Sequence, residues 1–127
     1  MGAWGHLFDE NDDAADWLAD LAEEPAWDIV GDALALADAD YLNGTDAANA
    51  LAAAEVVVAG LGKPSLRLDL AIVEWAADEP SKAKALRENA ILAIGRVRED
   101  SELQELWGES DEDSLWLASV NETMARL

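Results

Sequence analysis

An all-α, compact bundle of six or seven short helices, preceded by an irregular N-terminal segment, is the fold that the 127-residue sequence predicts, on three observations. Apolar residues recur at three- and four-residue spacing through most of the chain, which gathers them on one face of a helix. No run alternates with period two for long enough to build a sheet, and the one β-branched cluster, Val56-Val57-Val58, is embedded in alanine, where helix wins. Capping residues, glycines and prolines break the periodic stretches at intervals that suit short connections. The length and the 51% hydrophobic content suit one domain spanning 1–127 with a core of its own.

Taken in order, Met1 to Glu10 is expected to be irregular, with Gly2 and Gly5 flanking Trp4, an indole suited to anchoring the terminus on the bundle. Asn11 is a good cap for a helix from about Asp12 to Glu24, in which Ala14, Trp17, Leu18 and Leu21 share one face. Pro25 fits the first position of a second helix, where its missing N–H costs nothing; Trp27, Val30, Leu34, Ala37 and Tyr41 form its buried stripe up to a stop near Asn43-Gly44. Thr45 or Asp46 then caps a third helix, Ala47 to about Leu61, apolar almost all round and therefore central; Gly62-Lys63-Pro64 ends it. A fourth helix is expected from about Ser65, carrying Leu66, Leu70, Val73 and Ala77 to a break at Glu79-Pro80, and Ser81 caps a fifth with Leu86, Ala90, Ile94 and Val97 on one face. Ser101-Glu102-Leu103-Gln104 matches a capping box that opens a short helix ending near Trp107-Gly108. A last helix places Trp116, Val120, Met124 and Leu127 together, and the six tryptophans read as core.

Composition narrows the chemistry. Zero cysteines exclude disulfides and thiolate zinc sites, and a lone His6 removes most zinc, haem and histidine-triad arrangements, so no metal and no cofactor is expected. No apolar run reaches the roughly 20 residues of a membrane helix, and no leader pattern opens the chain; a cytoplasmic location is expected, without membrane contact. The net charge of −20 is uneven: residues 1–62 hold 14 acids and no Lys or Arg, residues 63–127 hold 14 acids against 8 bases. Direct nucleic-acid binding needs a basic footprint and is disfavoured, whereas a basic protein fits; solubility or composition alone is the bland alternative.

Asp9, Asn11 and Asp13 match the start of a calcium loop, but Ala14 stands where the turn wants glycine and Asp20 where a bidentate glutamate should close the site, so helix capping explains them better. The rest of that helix runs against its own dipole: Asp20, Glu23 and Glu24 lie towards the negative end, and Asp12, Asp16 and Asp20 form like-charge pairs costing roughly 0.2–0.5 kcal/mol each. Burial of Trp17, Leu18 and Leu21, at roughly 1.5–3 kcal/mol each, can carry that cost. Otherwise the acids meet a basic surface. Glu55 is the only polar residue between Ala50 and Leu61; if buried it needs a helix N-terminus, Tyr41 or a cation such as Arg96, or else it is a functional carboxylate. Asn43-Gly44-Thr45 and Asn121-Glu122-Thr123 match the glycosylation pattern but read as turn or helix-end chemistry.

The stretches "MGAWG", "ENDDAADWLADL", "AANALAAAEVVVAGLGKPS" and "SELQELWGESDEDSLWLASVNETMARL" together resemble bacterial proteins catalogued as domain of unknown function 4259. The most specific part is the head, carried by Trp4, Gly5, Asn11, Asp12, Ala14, Asp16 and Trp17; family members often carry Gly-Pro-Phe before the Asn-Asp, where this chain reads "HLFDEN". The resemblance implies a small bacterial domain and supplies no mechanism. The functional expectation is therefore a non-enzymatic acidic module that presents Asp12, Asp16, Asp20, Glu23 and Glu24 to a basic partner, as an immunity or inhibitor protein would. A nucleic-acid mimic that occupies a DNA-binding protein, or a small enzyme using Glu55, is the alternative.

Overall fold

Asn11 starts the first helix: its backbone is extended and its side-chain oxygen accepts from the Ala14 N–H at 3.2 Å, satisfying one of the orphan donors of the opening turn. The computed structural model describes residue 5 and residues 7–127. Among these residues lie seven α-helices and a 3₁₀ turn, with no strand: α1 (Asp12–Glu23), α2 (Trp27–Ala35), the 3₁₀ turn (Leu36–Asp38), α3 (Gly44–Gly60), α4 (Leu70–Ala77), α5 (Pro80–Glu99), α6 (Glu102–Gly108) and α7 (Asp113–Arg126). The expected anchoring role of Trp4 falls outside the described residues; Phe8, in the irregular segment before α1, packs against the core.

α3 is the axis. Every residue from Ala50 to Gly60 is buried, and α1, α2, α4, α5, α6 and α7 all pack on it, most extensively α5. Small side chains make this possible, since alanine and glycine let neighbouring backbones approach closely while each buried methyl still leaves water. At Gly60 the approach is closest: a Cβ there would sit 2.5 Å from the Ala83 methyl and 3.1 Å from the Trp27 ring. Trp27 in turn stacks on Trp75 with ring centroids 4.8 Å apart. α3 ends as its sequence asks, with Gly62 at φ 90°, its N–H donating to the Ala59 carbonyl and the Lys63 N–H to that of Val58.

Four helix starts differ from expectation, three of them in the first half of the chain. α2 begins at Trp27, with Ala26 extended before it and Pro25 left in the link; the helix loosens into the 3₁₀ turn after Ala35. Once α-helical register is lost, four-residue spacing no longer carries Tyr41 inward; it is 59% exposed, and Leu42 takes the buried place. Arg96 pins this stretch by donating to the carbonyls of Ala37, Ala39 and Asp40 at 3.2, 2.8 and 3.2 Å. α3 is capped by Asn43, whose Oδ1 accepts from Asp46 N at 2.8 Å, so Thr45 and Asp46 lie inside its first turn. α4 starts about five residues later than expected, at Leu70, because Asp69 caps it; Leu66 and Leu70 face solvent, and Leu68, Ile72 and Ala76 face inward.

The second half follows the sequence more closely. α5 carries Pro80 at its first turn, so Ser81 lies within the helix instead of capping it. Ser101 caps α6, accepting from Gln104 N at 3.0 Å while its hydroxyl donates to the Val97 carbonyl. Trp107 and Trp116 stack at 6.4 Å between α6 and α7. Trp116, Val120, Thr123 and Leu127 are buried along the last helix, with Met124 partly so. No helix among the described residues is long and apolar enough to cross a membrane.

Candidate functional site

Two places carry unusual charge: the outer face of α1 and the carboxylate at the centre of α3. On α1, Asp12, Asp16, Asp20, Glu23 and Glu24 are all exposed. Three- and four-residue spacing aligns the first four along one stripe opposite Ala14 and Leu21, and Glu24 closes the helix with its N–H on the Asp20 carbonyl. Among the described residues no cation pairs with any of the five. The last turn of α1 contains no basic residue either, so nothing local offsets its negative end. Asp9 and Asp13, beside the stripe, do have partners: Arg67 Nε donates to Asp9 at 2.6 Å and the Thr45 hydroxyl to Asp13 at 3.1 Å. Asp9, Asn11 and Asp13 are thus drawn to separate partners, and no group of three or more candidate metal ligands converges among the described residues.

Glu55 is completely buried and meets a cation, but neither Tyr41, which is exposed, nor Arg96, which holds the carbonyls after α2, is its partner. Instead α7 reaches it: the Thr123 hydroxyl donates to Glu55 Oε1 at 2.7 Å and Arg126 Nη2 donates to the same oxygen at 2.6 Å. Arg126 is shared, because Glu122 takes its Nη2 at 2.9 Å and faces its Nε at 2.7 Å, while Nη1 donates to the Lys63 carbonyl. Glu55 Oε2 has no hydrogen-bond partner. Burial pushes the Glu55 carboxyl above its ordinary value, against the opposing pull of the Thr123 and Arg126 bonds. For Arg126 burial acts downward, but its bonds to Glu55 and Glu122 outweigh it and hold the guanidinium up. A sealed, paired carboxylate ties α7 to α3; no substrate reaches it in this conformation.

The family model for a domain of unknown function (DUF4259) matches residues 2–119. The chain belongs to that family. No curated protein and no solved structure matches it. In this DUF4259 chain the match covers the α1 acids and Glu55, while Glu122, Thr123 and Arg126 lie beyond its end.

The α1 acids share one exposed face, as their spacing implies, but sequence reading missed the two α7 partners of Glu55, Thr123 and Arg126, and the Glu122 that shares Arg126. A signal existed: Thr123 and Arg126 stand three residues apart, with Glu122 four before Arg126, the spacing that makes one helix face polar. Both glycosylation-like triplets are part of helices: Asn43 caps α3, whereas Asn121-Glu122-Thr123 lies within α7 with Thr123 buried, not at a helix end.

Proposed function

We propose that the chain is a non-enzymatic interaction domain of the cytoplasm that binds a basic protein through the acidic face of α1, in the manner of an immunity or inhibitor protein masking a cationic surface. The observation that carries this reading is that Asp12, Asp16, Asp20, Glu23 and Glu24 are exposed with no cation among the described residues to meet them. Intramolecular electrostatics favours none of them beyond the first turn, so their arrangement is explained by something outside the chain. Opposed charge would speed the encounter and suppress wrong partners. The commitment of Glu55 to Thr123 and Arg126 supports the non-enzymatic side of the reading.

The test is retention of partners from a cell lysate on immobilised protein at low and high salt, beside an Asp16→Lys, Asp20→Lys double variant. The expected result is a basic protein held by the wild type, released by salt and not retained by the variant. Equal retention by both proteins would remove the stripe from the interaction, and competition by DNA for the same partner would favour the nucleic-acid mimic.

A further inference from the structure

The acidic face borders a groove. α1 and α2 both rest on α3 and leave between them a hollow of about 260 Å³ lined by Trp17 of α1, Ile29, Asp32 and Ala33 of α2, Leu36 of the 3₁₀ turn, and Asn49 of α3. Ile29, Ala33 and Leu36 recur at helical spacing, so they form one continuous wall, and Ile29 and Leu36 are 39% and 46% exposed. On the opposite wall, Trp17 is half-buried and has Asp13 and Asp20 as its neighbours one turn away in either direction. Asp28 and Asp32 lie one turn apart on the outer flank of α2, and both are exposed. Apolar walls therefore carry acids along both rims, and among the described residues no cation lines the groove.

The α3 contribution is an amide without a fixed partner. Asn49 Oδ1 is buried and accepts no hydrogen bond, and no bond among the described residues holds the amide. Because the amide lines the hollow, it reports what enters there. The volume falls below the roughly 300–1,000 Å³ of small-molecule pockets and suits a side chain or two. A wider hollow of about 450 Å³ between α2, the 3₁₀ turn and α5 has Arg96 on its wall and lacks this one-signed rim.

We infer that the groove between α1 and α2 is the anchor pocket of the interaction, taking a large apolar side chain from a cationic helical segment of the partner protein while its lysines or arginines face the acids on both rims. This rests on the function proposed above and adds to it which residues carry the affinity. Charge draws the segment in and the anchor holds it, the usual division between rim and buried centre.

The experiment uses the intact chain and three labelled synthetic peptides of equal length: an amphipathic Lys/Leu helix, a Lys/Ala helix of the same charge, and a Glu/Leu helix of the same apolar pattern. Binding is read by fluorescence anisotropy, with NMR shifts of the Asn49 side-chain amide and the Trp17 indole N–H reporting the place. Expected is binding of the Lys/Leu peptide at least about tenfold tighter than the Lys/Ala peptide, no binding of the Glu/Leu peptide, and shifts at Asn49 and Trp17. Ile29→Ala with Leu36→Ala, both partly exposed and so compatible with folding, should erase the Lys/Leu preference and leave the salt dependence intact. Equal affinity for the two cationic peptides, lost only in Asp16→Lys, Asp20→Lys, would overturn the anchor pocket and leave the acidic face standing. Absence of binding by either cationic peptide at low salt would overturn both.

Discussion

Replacing Arg126 by leucine would leave the Glu55 carboxylate buried at the centre of α3 with only the Thr123 hydroxyl on it. Breaking a buried pair from one side costs about 3–5 kcal/mol, because the remaining charge has neither water nor partner. The loss of urea stability should be largest at neutral pH and shrink on acidification, as Glu55 takes up a proton. Glu55→Gln tests the same site from the other direction. Its amide oxygen keeps the acceptor for Thr123 and Arg126 while the charge goes. In the wild type burial holds the Glu55 carboxyl above its ordinary 4.5, so the folded chain binds its proton more tightly than the unfolded chain. The stability this gives is fully present below the ordinary value and is lost as pH rises through the raised one. The variant lacks that loss. Its stability relative to wild type should therefore climb between pH 4.5 and neutrality, and a flat or falling difference would mean that Arg126 offsets the burial completely.

α1 shows a helix whose buried face and solvent face answer to different demands. Ala14 and Leu21 satisfy the core, while Asp20, Glu23 and Glu24 crowd the negative end of the helix dipole. Asp20→Lys and Glu24→Lys remove like-charge neighbours and add the charge that end favours, so each should stabilise the fold by roughly 0.3–1 kcal/mol, seen as a higher melting temperature. A protein stabilised by the very changes that abolish partner capture would show the acids to be kept against the interest of the fold. Helix starts were legible wherever one side chain could cap: Asn11 and Ser101 do as their spacing implies. Where two or three capping residues compete within a few positions, as at Asn43-Gly44-Thr45-Asp46 and Ser65 to Asp69, local chemistry does not rank them and packing decides. The docking of α6 is one such decision, since Glu102 accepts from Gly44 N at 2.7 Å and donates its own N–H to the Leu42 carbonyl at 2.9 Å, fixing the entry into α3. The α1/α2 groove was invisible for the same reason: Trp17, Leu36 and Asn49 are distant in sequence and become neighbours only because α3 lies beneath both helices.

At the scale of the molecule the −20 charge acts on folding and binding with opposite sign. Folding brings 28 carboxylates closer than they are in the open chain, and among the described residues only a few form an ion pair with a cation. Their mutual repulsion opposes the compact state and is carried by the burial around α3. Added NaCl shortens the screening length from roughly 30 Å at 0.01 M to about 10 Å at 0.1 M, which removes the longer-range part of this repulsion. The urea midpoint should therefore rise with NaCl over this range with an unchanged slope, since the exposed surface is the same. Urea is the right denaturant because guanidinium would itself screen. Capture of a basic partner should weaken over the same interval. A midpoint that rises while affinity falls separates the two effects of one charge distribution. If both fell together, specific ion pairs such as Arg67–Asp9 and Arg126–Glu55 would outweigh the diffuse repulsion, and the acids of α1 would be less isolated from the fold's own cations than their geometry implies.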